Sequence, residues 1–358
     1  MFRNYKMVPR LVFGRGAFNQ LGDILAEKKT SAEAPMVFVV DDVFEGKKLA
    51  RRIPADTHDQ VLWVNVDDEP KTAYVDHLTQ LVAEHTAGDG ILPAGVIGIG
   101  GGSTLDLAKA VALMLTNPGS STEYQGWDLI KYPAVYHVGV PTLSGTGAEV
   151  SRTTVLTGPE KKLGLNSDYT VFDQLVLDPQ LIADVPADQR FYTGMDCYIH
   201  SIESLAGTFC NPFSQACAEK AKDLCLEVFL EGGPQCDDDL MMASFLGGLS
   251  IAYSQVGVCH ALSYGLSFVL GLHHGIGNCV VFDYLEDFYL DGVRDFRRMR
   301  EMHGIELPRG LTADLGVAQI QKMIDVSLVM EPLWEHALGS DWKSIMTRDR
   351  VRDLFLRM

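Results

Sequence analysis

Gly95-Val96-Ile97-Gly98-Ile99-Gly100-Gly101-Gly102-Ser103-Thr104 decides the fold. A short apolar run ends in three glycines, and an apolar pattern at helical spacing, Thr104 to Leu115, begins at once. Valine and isoleucine in so short a run favour a strand. The glycines let the chain turn tightly, because no Cβ obstructs it. The turn would bring the free N–H groups and positive dipole end of the new helix to the strand's carboxyl end, where a pyrophosphate is favoured. Ser103, with Asp106 three residues on, reads as a helix cap. A lone triglycine is as readily a tight turn without a ligand, so the motif needs company.

The surrounding sequence supplies it. Met36 to Val40, Val61 to Val66 and Ala134 to Val140 are further β-rich runs, and Thr72 to His85 has apolar residues at helical spacing. Alternation of this kind predicts a parallel sheet covered by helices, with binding sites beyond the carboxyl ends of its strands. The last of these strands leads into Pro141-Thr142-Leu143-Ser144-Gly145-Thr146-Gly147-Ala148-Glu149, which offers glycines for close approach and the hydroxyls of Thr142, Ser144 and Thr146 as donors. Two such loops on one sheet are hard to explain as turns alone. The first strand ends in Asp41-Asp42, where either carboxylate is placed to bind adenosine ribose hydroxyls; a solvated loop acid is the equal alternative.

After Asp178-Pro179 the character changes to long helical patterns: Thr193 to Gly207, Ser214 to Glu231, Asp239 to Gln255, and from Thr312 onward. Met241 to Tyr253 is apolar nearly all round, as in a helix buried inside a bundle. The boundary falls near residues 180–190. The expected organisation is a Rossmann-like α/β dinucleotide-binding domain over 1–183 and an all-α metal-binding and substrate domain over 184–358.

Asp196 and His200 stand at i and i+4 in Gly194-Met195-Asp196-Cys197-Tyr198-Ile199-His200-Ser201-Ile202-Glu203, so both project from one helix face and can reach one ion. Val258-Cys259-His260 and His273-His274-Gly275 follow in apolar surroundings. One Asp with three His suits a first-row divalent metal acting on an oxygen substrate. The residues alone leave His273 and His274 equal as the fourth ligand. Histidines 58, 77, 85, 303 and 336 lie in polar contexts and read as surface, and His137 as packing on a strand.

Bulk composition narrows the partners. The chain has 358 residues, 47% apolar and 22% charged, with a formal charge of −17. That charge argues against a nucleic-acid footprint and against an anionic membrane surface. The seven cysteines include no Cys-x-x-Cys pair, which excludes a zinc ribbon or thioredoxin motif and fits reduced thiols in a cytoplasmic protein. Met1 to Gly16 is basic but lacks the apolar run of a signal peptide.

These motifs together resemble a known family. Gly100-Gly101-Gly102-Ser103 through Asp106 and Lys109 is similar to the Gly-Gly-Gly-Ser-x-x-Asp-x-x-Lys signature of iron-containing (group III) alcohol dehydrogenases. Pro141 to Glu149 resembles their Pro-Thr-x-x-Gly-Thr-Gly-x-Glu loop, and Gly194 to Glu203 their Gly-Met-Asp-x-x-x-His-x-x-Glu segment. His260 and His274, fourteen residues apart, match the family's last two ligand positions, which favours His274 over His273. The resemblance runs from Val12-Phe13-Gly14 to about residue 290, with the motifs in family order.

The resemblance implies a dehydroquinate synthase-like architecture with metal and nicotinamide between its two domains. It also implies Fe²⁺ or Zn²⁺ as metal, and NAD, with NADP the alternative, as cofactor. By motif position Asp42 would select an unphosphorylated ribose and Lys162 would contact the cofactor near its ribose; Glu203, one turn beyond His200, reads as orienting the metal site or pairing with a base. A homodimer acting on a small alcohol or sugar acid is expected. Where relatives carry a proton-relay His four residues after the third ligand, this chain has Tyr264. Tyr264 and His273 are therefore the candidates for moving the proton. Ser144 also departs from the family's Ala, and after about residue 305 the match is poor.

The opening Met1-Phe2-Arg3-Asn4-Tyr5-Lys6 resembles the 3-deoxy-D-manno-octulosonate 8-oxidase branch, which serves lipopolysaccharide sugar biosynthesis. Arg152, Lys161, Arg190 and Arg297 are the cations available to such a sugar acid. Two other readings compete. A dehydroquinate synthase-like lyase would need Lys and Arg around its metal, and Gly194–Gly207 and Val258–Gly275 contain neither. A non-catalytic nucleotide and metal sensor would keep the same ligands without turnover.

Overall fold

The computed structural model describes residues 6–29, 34–86, 91–233 and 235–358. Met1 to Tyr5, which carry most of the branch resemblance, lie outside them. The described chain divides into two compact units. One takes in residues up to Leu143 with Ala148–Asp184, and the other Ser144–Gly147 with Val185–Met358.

The first unit is built on β1 (Leu11–Phe13), β2 (Met36–Asp41), β3 (Gln60–Val64), β4 (Gly95–Gly100), β5 (Gly126–Trp127), β6 (His137–Pro141), β7 (Thr153–Thr157), β8 (Lys162–Asn166) and β9 (Gln174–Leu177). Six of them form a parallel sheet in the order β1-β9-β6-β4-β2-β3. Every residue of β4 is buried, as a central strand covered on both faces requires. Alternation assigns the faces. Val37, Val39 and Val96 pack with Leu107, Ala108 and Val111 in one core. Met36, Phe38, Val40, Ile97 and Ile99 pack with Phe18 and Leu21 in the other.

Helices α1 (Leu21–Ala26), α2 (Thr72–Thr86) and α3 (Gly102–Met114) cover the sheet. α3 starts earlier than the periodicity predicts, with Gly101 as N-cap and no side-chain cap. Ser103 is thus already helical, and the expected Ser103/Asp106 cap does not form. Asp106 is drawn elsewhere: its Oδ2 accepts from Val155 N at 3.0 Å. The second sheet, β5-β8-β7, contains an antiparallel β7–β8 pair that the parallel reading did not anticipate.

Register places Gly100 opposite Pro141 and Asp41 opposite Val64, so the candidate loops leave one edge of the sheet. On the same edge, Asp178 Oδ1 and Oδ2 accept from the backbone N–H groups of Gly16 and Phe18 at 3.0 and 3.1 Å, tying the turn after β1 to the end of β9.

The second unit is helical: α4 (Ala187–Ala206), α5 (Pro212–Leu226), α6 (Cys236–Tyr253), α7 (Val258–Leu270), α8 (His274–Phe282), α9 (Glu286–Met302), α10 (Val317–Leu328), α11 (Glu331–Leu338), α12 (Trp342–Ile345) and α13 (Arg348–Phe355). α4 packs on α5, α6 and α8, and α7 on α8, α10 and α11. In place of one long pattern from Thr312, the chain makes four helices, interrupted at Met330, Gly339 and Met346–Thr347. His336, expected at the surface, is fully buried. Its Nδ1 accepts from Phe209 N at 3.2 Å, and its Nε2 donates to Glu203 O at 3.0 Å. The terminal segment therefore braces the end of α4. No single helix among the described residues is long and apolar enough to cross a membrane.

Gly98 is where strand and helix come closest. A Cβ there would stand 2.7 Å from the Ala108 Cβ of α3. Gly98→Ala should therefore destabilise the protein by about 1–3 kcal/mol, the usual cost of overpacking. A chemical-denaturation midpoint equal to that of the parent would show that α3 can move aside.

Candidate metal centre

α4 carries Asp196, His200 and Glu203 at i, i+4 and i+7, one face of a buried helix. His260 is the third residue of α7, and His274 opens α8 after a turn at Gly271, whose φ is 67°. The result is one cluster: ligand atoms of Asp196, His200, His260 and His274 lie within 4.8 Å of one another. His273, the exposed N-cap of α8, does not join them.

The spacing suits an ion. Asp196 Oδ1 is 3.5, 3.3 and 3.6 Å from the Nε2 atoms of His200, His260 and His274. Four ligands at about 2.1 Å around one metal would be about 3.4 Å apart along each edge. Asp196 Oδ2 and His200 Nδ1 are buried with no partner, which marks a polar set not completed by protein alone. One carboxylate and three imidazoles suit Fe²⁺ or Zn²⁺ alike.

Glu203 stands behind His260. Its carboxylate accepts from His260 Nδ1 at 2.6 Å, from Gly257 N at 2.8 Å and from Cys259 N at 2.6 Å. Tyr289 completes this support: its hydroxyl accepts from Val258 N at 3.2 Å and donates to Glu203 at 3.3 Å. The N–H on Nδ1 leaves Nε2 as the atom facing the cluster, the arrangement a metal-binding histidine needs. Tyr264, half-buried on α7, stacks on the His274 ring at 5.8 Å and meets His260 edge-on at 6.2 Å.

Charge and burial compete throughout. Burial pushes the Asp196 carboxyl up, but the neighbouring imidazoles outweigh it and hold it well below its ordinary range. Burial, reinforced by the other two imidazoles, lowers His200 to about 4. For His260 burial again opposes charge, yet Glu203 and Asp196 prevail and raise it to about 9.

Most of the cofactor candidates belong to the first unit. Thr142 N donates to Gly100 O at 2.9 Å, joining the two glycine loops. Asp41 accepts from Val43 N and Asp42 from Asn65, at 3.1 and 3.0 Å. Lys162 pairs with Glu69 at 2.5 Å. Buried Lys109 holds the chain after the second loop, donating to Ala148 O, Ser151 Oγ and Thr153 O. Ser144 and Thr146 group with the helical unit. There a Cβ on Gly145 would fall 1.7 Å from Thr193 O, and one on Gly147 2.3 Å from the Gly248 Cα. These two glycines are demanded by helix packing, whatever else the loop binds. Arg152, Arg190 and Arg297 are in ion pairs with Asp128 and Asp168, with Asp237, and with Asp283 and Glu286. Lys161 donates to Gln125 O at 3.1 Å. Asn278 and Tyr289 were not anticipated. Asn278 was detectable as the polar residue one turn after His274, whereas nothing in sequence marked Tyr289.

Comparison with known proteins agrees with the motifs. Residues 9–179 match the family described as iron-containing alcohol dehydrogenase, and residues 190–324 match its C-terminal domain family. The chain belongs to the iron-containing alcohol dehydrogenase family. It is an oxidoreductase acting on CH–OH groups, with a candidate metal site of one Asp and three His. Alcohol dehydrogenase 4 of Schizosaccharomyces pombe is 29% identical over 64% of this chain, a match that spans 56% of the yeast protein. The NAD-dependent methanol dehydrogenase of Bacillus methanolicus is 26% identical over 77% of this chain and 73% of its own. Among solved structures, sulfoacetaldehyde reductase from Bifidobacterium kashiwanohense in complex with NAD⁺ shares the fold. Its TM-score is 0.81 at 22% identity, covering 99% of this chain and 98% of that one.

Two outcomes test the cluster. His200→Ala should abolish stoichiometric divalent-metal content while leaving the circular dichroism spectrum unchanged; full metal content by elemental analysis would remove His200 from the set. A proton held on His260 up to pH about 9 must leave before a metal binds. Metal affinity should therefore rise with pH across the neutral range. Chelator competition at pH 6, 7 and 8 reads this slope, and a flat profile would show that no proton is displaced.

Proposed function

We propose that this family member is an NAD-linked, divalent-metal-dependent dehydrogenase that oxidises a primary alcohol, and that its substrate is the terminal C8 hydroxyl of 3-deoxy-D-manno-octulosonate. The carrying observation is the Asp196, His200, His260, His274 cluster with Glu203 hydrogen-bonded behind His260. NAD is supported by the β4–α3 glycine turn and by the cofactor named for two of the relatives. The sugar-acid substrate is supported by the opening residues and by Tyr264 at the position of the family's relay histidine. On the same reading the protein works in the cytoplasm, as a homodimer, in lipopolysaccharide sugar biosynthesis.

A divalent metal supplies Lewis acidity that makes a substrate hydroxyl more acidic near neutral pH, and a nicotinamide supplies the hydride acceptor. The chain's own residues do the positioning. Asp196 keeps its negative charge at every working pH, and Glu203 locks His260 in the tautomer whose Nε2 faces the cluster. Tyr264, against His274, is the side chain offered for the departing proton, with exposed His273 as the alternative. The sugar's carboxylate must find other cations than Arg152, Arg190 and Arg297, which are already paired. In the β2 loop Asp42, with Asp41 beside it, would favour NAD over NADP by meeting ribose hydroxyls.

The test is NADH formation with Fe²⁺ or Zn²⁺ added, over a panel of simple alcohols and sugar acids, with NADP in parallel. The sugar acid should exceed ethanol in kcat/KM by roughly tenfold or more, since a polar site rejects substrates lacking its partners. Turnover of simple alcohols alone would overturn the sugar substrate. Retained metal and NAD binding with no turnover of any alcohol would establish a sensor instead.

A further inference from the structure

Asn278 lies one turn after His274 on α8 and is fully buried. Its Nδ2 stands 2.6 Å from Asp196 Oδ1 and 3.1 Å from the Nε2 atoms of both His260 and His274. An amide nitrogen carries two hydrogens. Here they serve Asp196 and the His274 imidazole, filling lone pairs that would otherwise face one another in a buried site. The other half of the amide has no such place: Asn278 Oδ1 is buried without a partner. A buried acceptor left unmade is rare enough to need a reason.

A cation in the cluster supplies one. Once the lone pairs of Asp196, His260 and His274 point at an ion, no acceptor remains for the amide N–H groups. The neighbouring positive charge then repels those hydrogens and attracts the carbonyl oxygen. The two ends of a carboxamide have nearly the same shape, so a half-turn about the last side-chain bond exchanges them without repacking. Carboxamide oxygen is an accepted donor for hard and intermediate divalent ions.

From this geometry we infer that Asn278 is a fifth protein group of the metal centre, holding the ligand set together by N–H donation before metal binds and presenting Oδ1 to the ion afterwards. The inference rests on the metal-site reading above. A purely structural tie from Asn278 to Asp196 would make the N–H, not the oxygen, the indispensable part. A group favouring coordination above four also favours Fe²⁺ over the tetrahedral preference of Zn²⁺.

Two substitutions separate these roles in the full-length protein, read by chelator competition with Zn²⁺ and, without air, with Fe²⁺. Circular dichroism serves as the check of folding. Asn278→Leu, which loses both halves, should weaken Fe²⁺ binding by about 10–100-fold, and Zn²⁺ binding less. Asn278→Asp, which keeps oxygen but has no N–H, should bind both ions at least as tightly as the parent. Equal weakening in the two variants would overturn the inference in favour of the structural tie. Affinities within about twofold of the parent in Asn278→Leu would overturn any part in metal binding. If the Leu variant does not fold, the Asp variant decides alone, tight binding supporting the inference and weakening overturning it. Failure of the metal site itself is distinguishable, because His200→Ala would then retain its metal.

Discussion

The Glu203 carboxylate holds the helical unit's chemistry in place. It is almost wholly buried and accepts hydrogen bonds from His260, Gly257, Cys259 and Tyr289. Gly257 has no side chain with which to cap α7, so the free N–H groups at that helix start need an outside acceptor. A carboxylate is the best available, since it meets the positive end of the helix dipole as well. The same contact fixes the His260 tautomer. One interaction therefore sets where α7 begins and which imidazole nitrogen faces the cluster.

The dependence runs outward from there. α4 supplies Asp196 and His200 from the same face as Glu203, so the helix that bears two ligands also positions the third. His336, from the C-terminal helices, donates to the carbonyl of Glu203 itself. Tyr289 reaches Glu203 from a position in α9 whose φ of −137° and ψ of 52° are not helical. The kink turns the start of α9 so that the Tyr289 hydroxyl lies between Val258 N and the Glu203 carboxylate.

Much of this was legible in sequence, and the parts that were not share a cause. β2, β3, β4 and β6 of the main sheet announced themselves as continuous apolar runs, whereas its short strands β1 and β9 were not read as strands. β7 and β8 did not announce themselves either, because their half-buried residues mix threonine, lysine and glycine. Asp196, His200 and His260 stood out as ligand types in apolar segments. His336 was misread because its neighbours in sequence are polar, while its burial comes from the distant Phe209 and Glu203. Asn278 was marked only by its place one turn after His274, and it takes tertiary structure to show what its amide faces.

The glycine motifs carry a more general lesson. Gly145 and Gly147 read in sequence as residues that let a backbone approach a phosphate. In the structure each is required by an approaching protein backbone, Thr193 of α4 and Gly248 of α6. Both demands select the same residue for the same reason, the absence of a Cβ, so a glycine-rich loop cannot by itself distinguish a ligand from a neighbouring helix. The distinction lies in the polar atoms around it. Lys109 of α3, which holds the chain at the end of this loop, is saturated with protein acceptors, whereas the buried Ser144 hydroxyl has none. Unmatched polar atoms, more than glycines, are what identify the places where this chain is built to meet something other than itself.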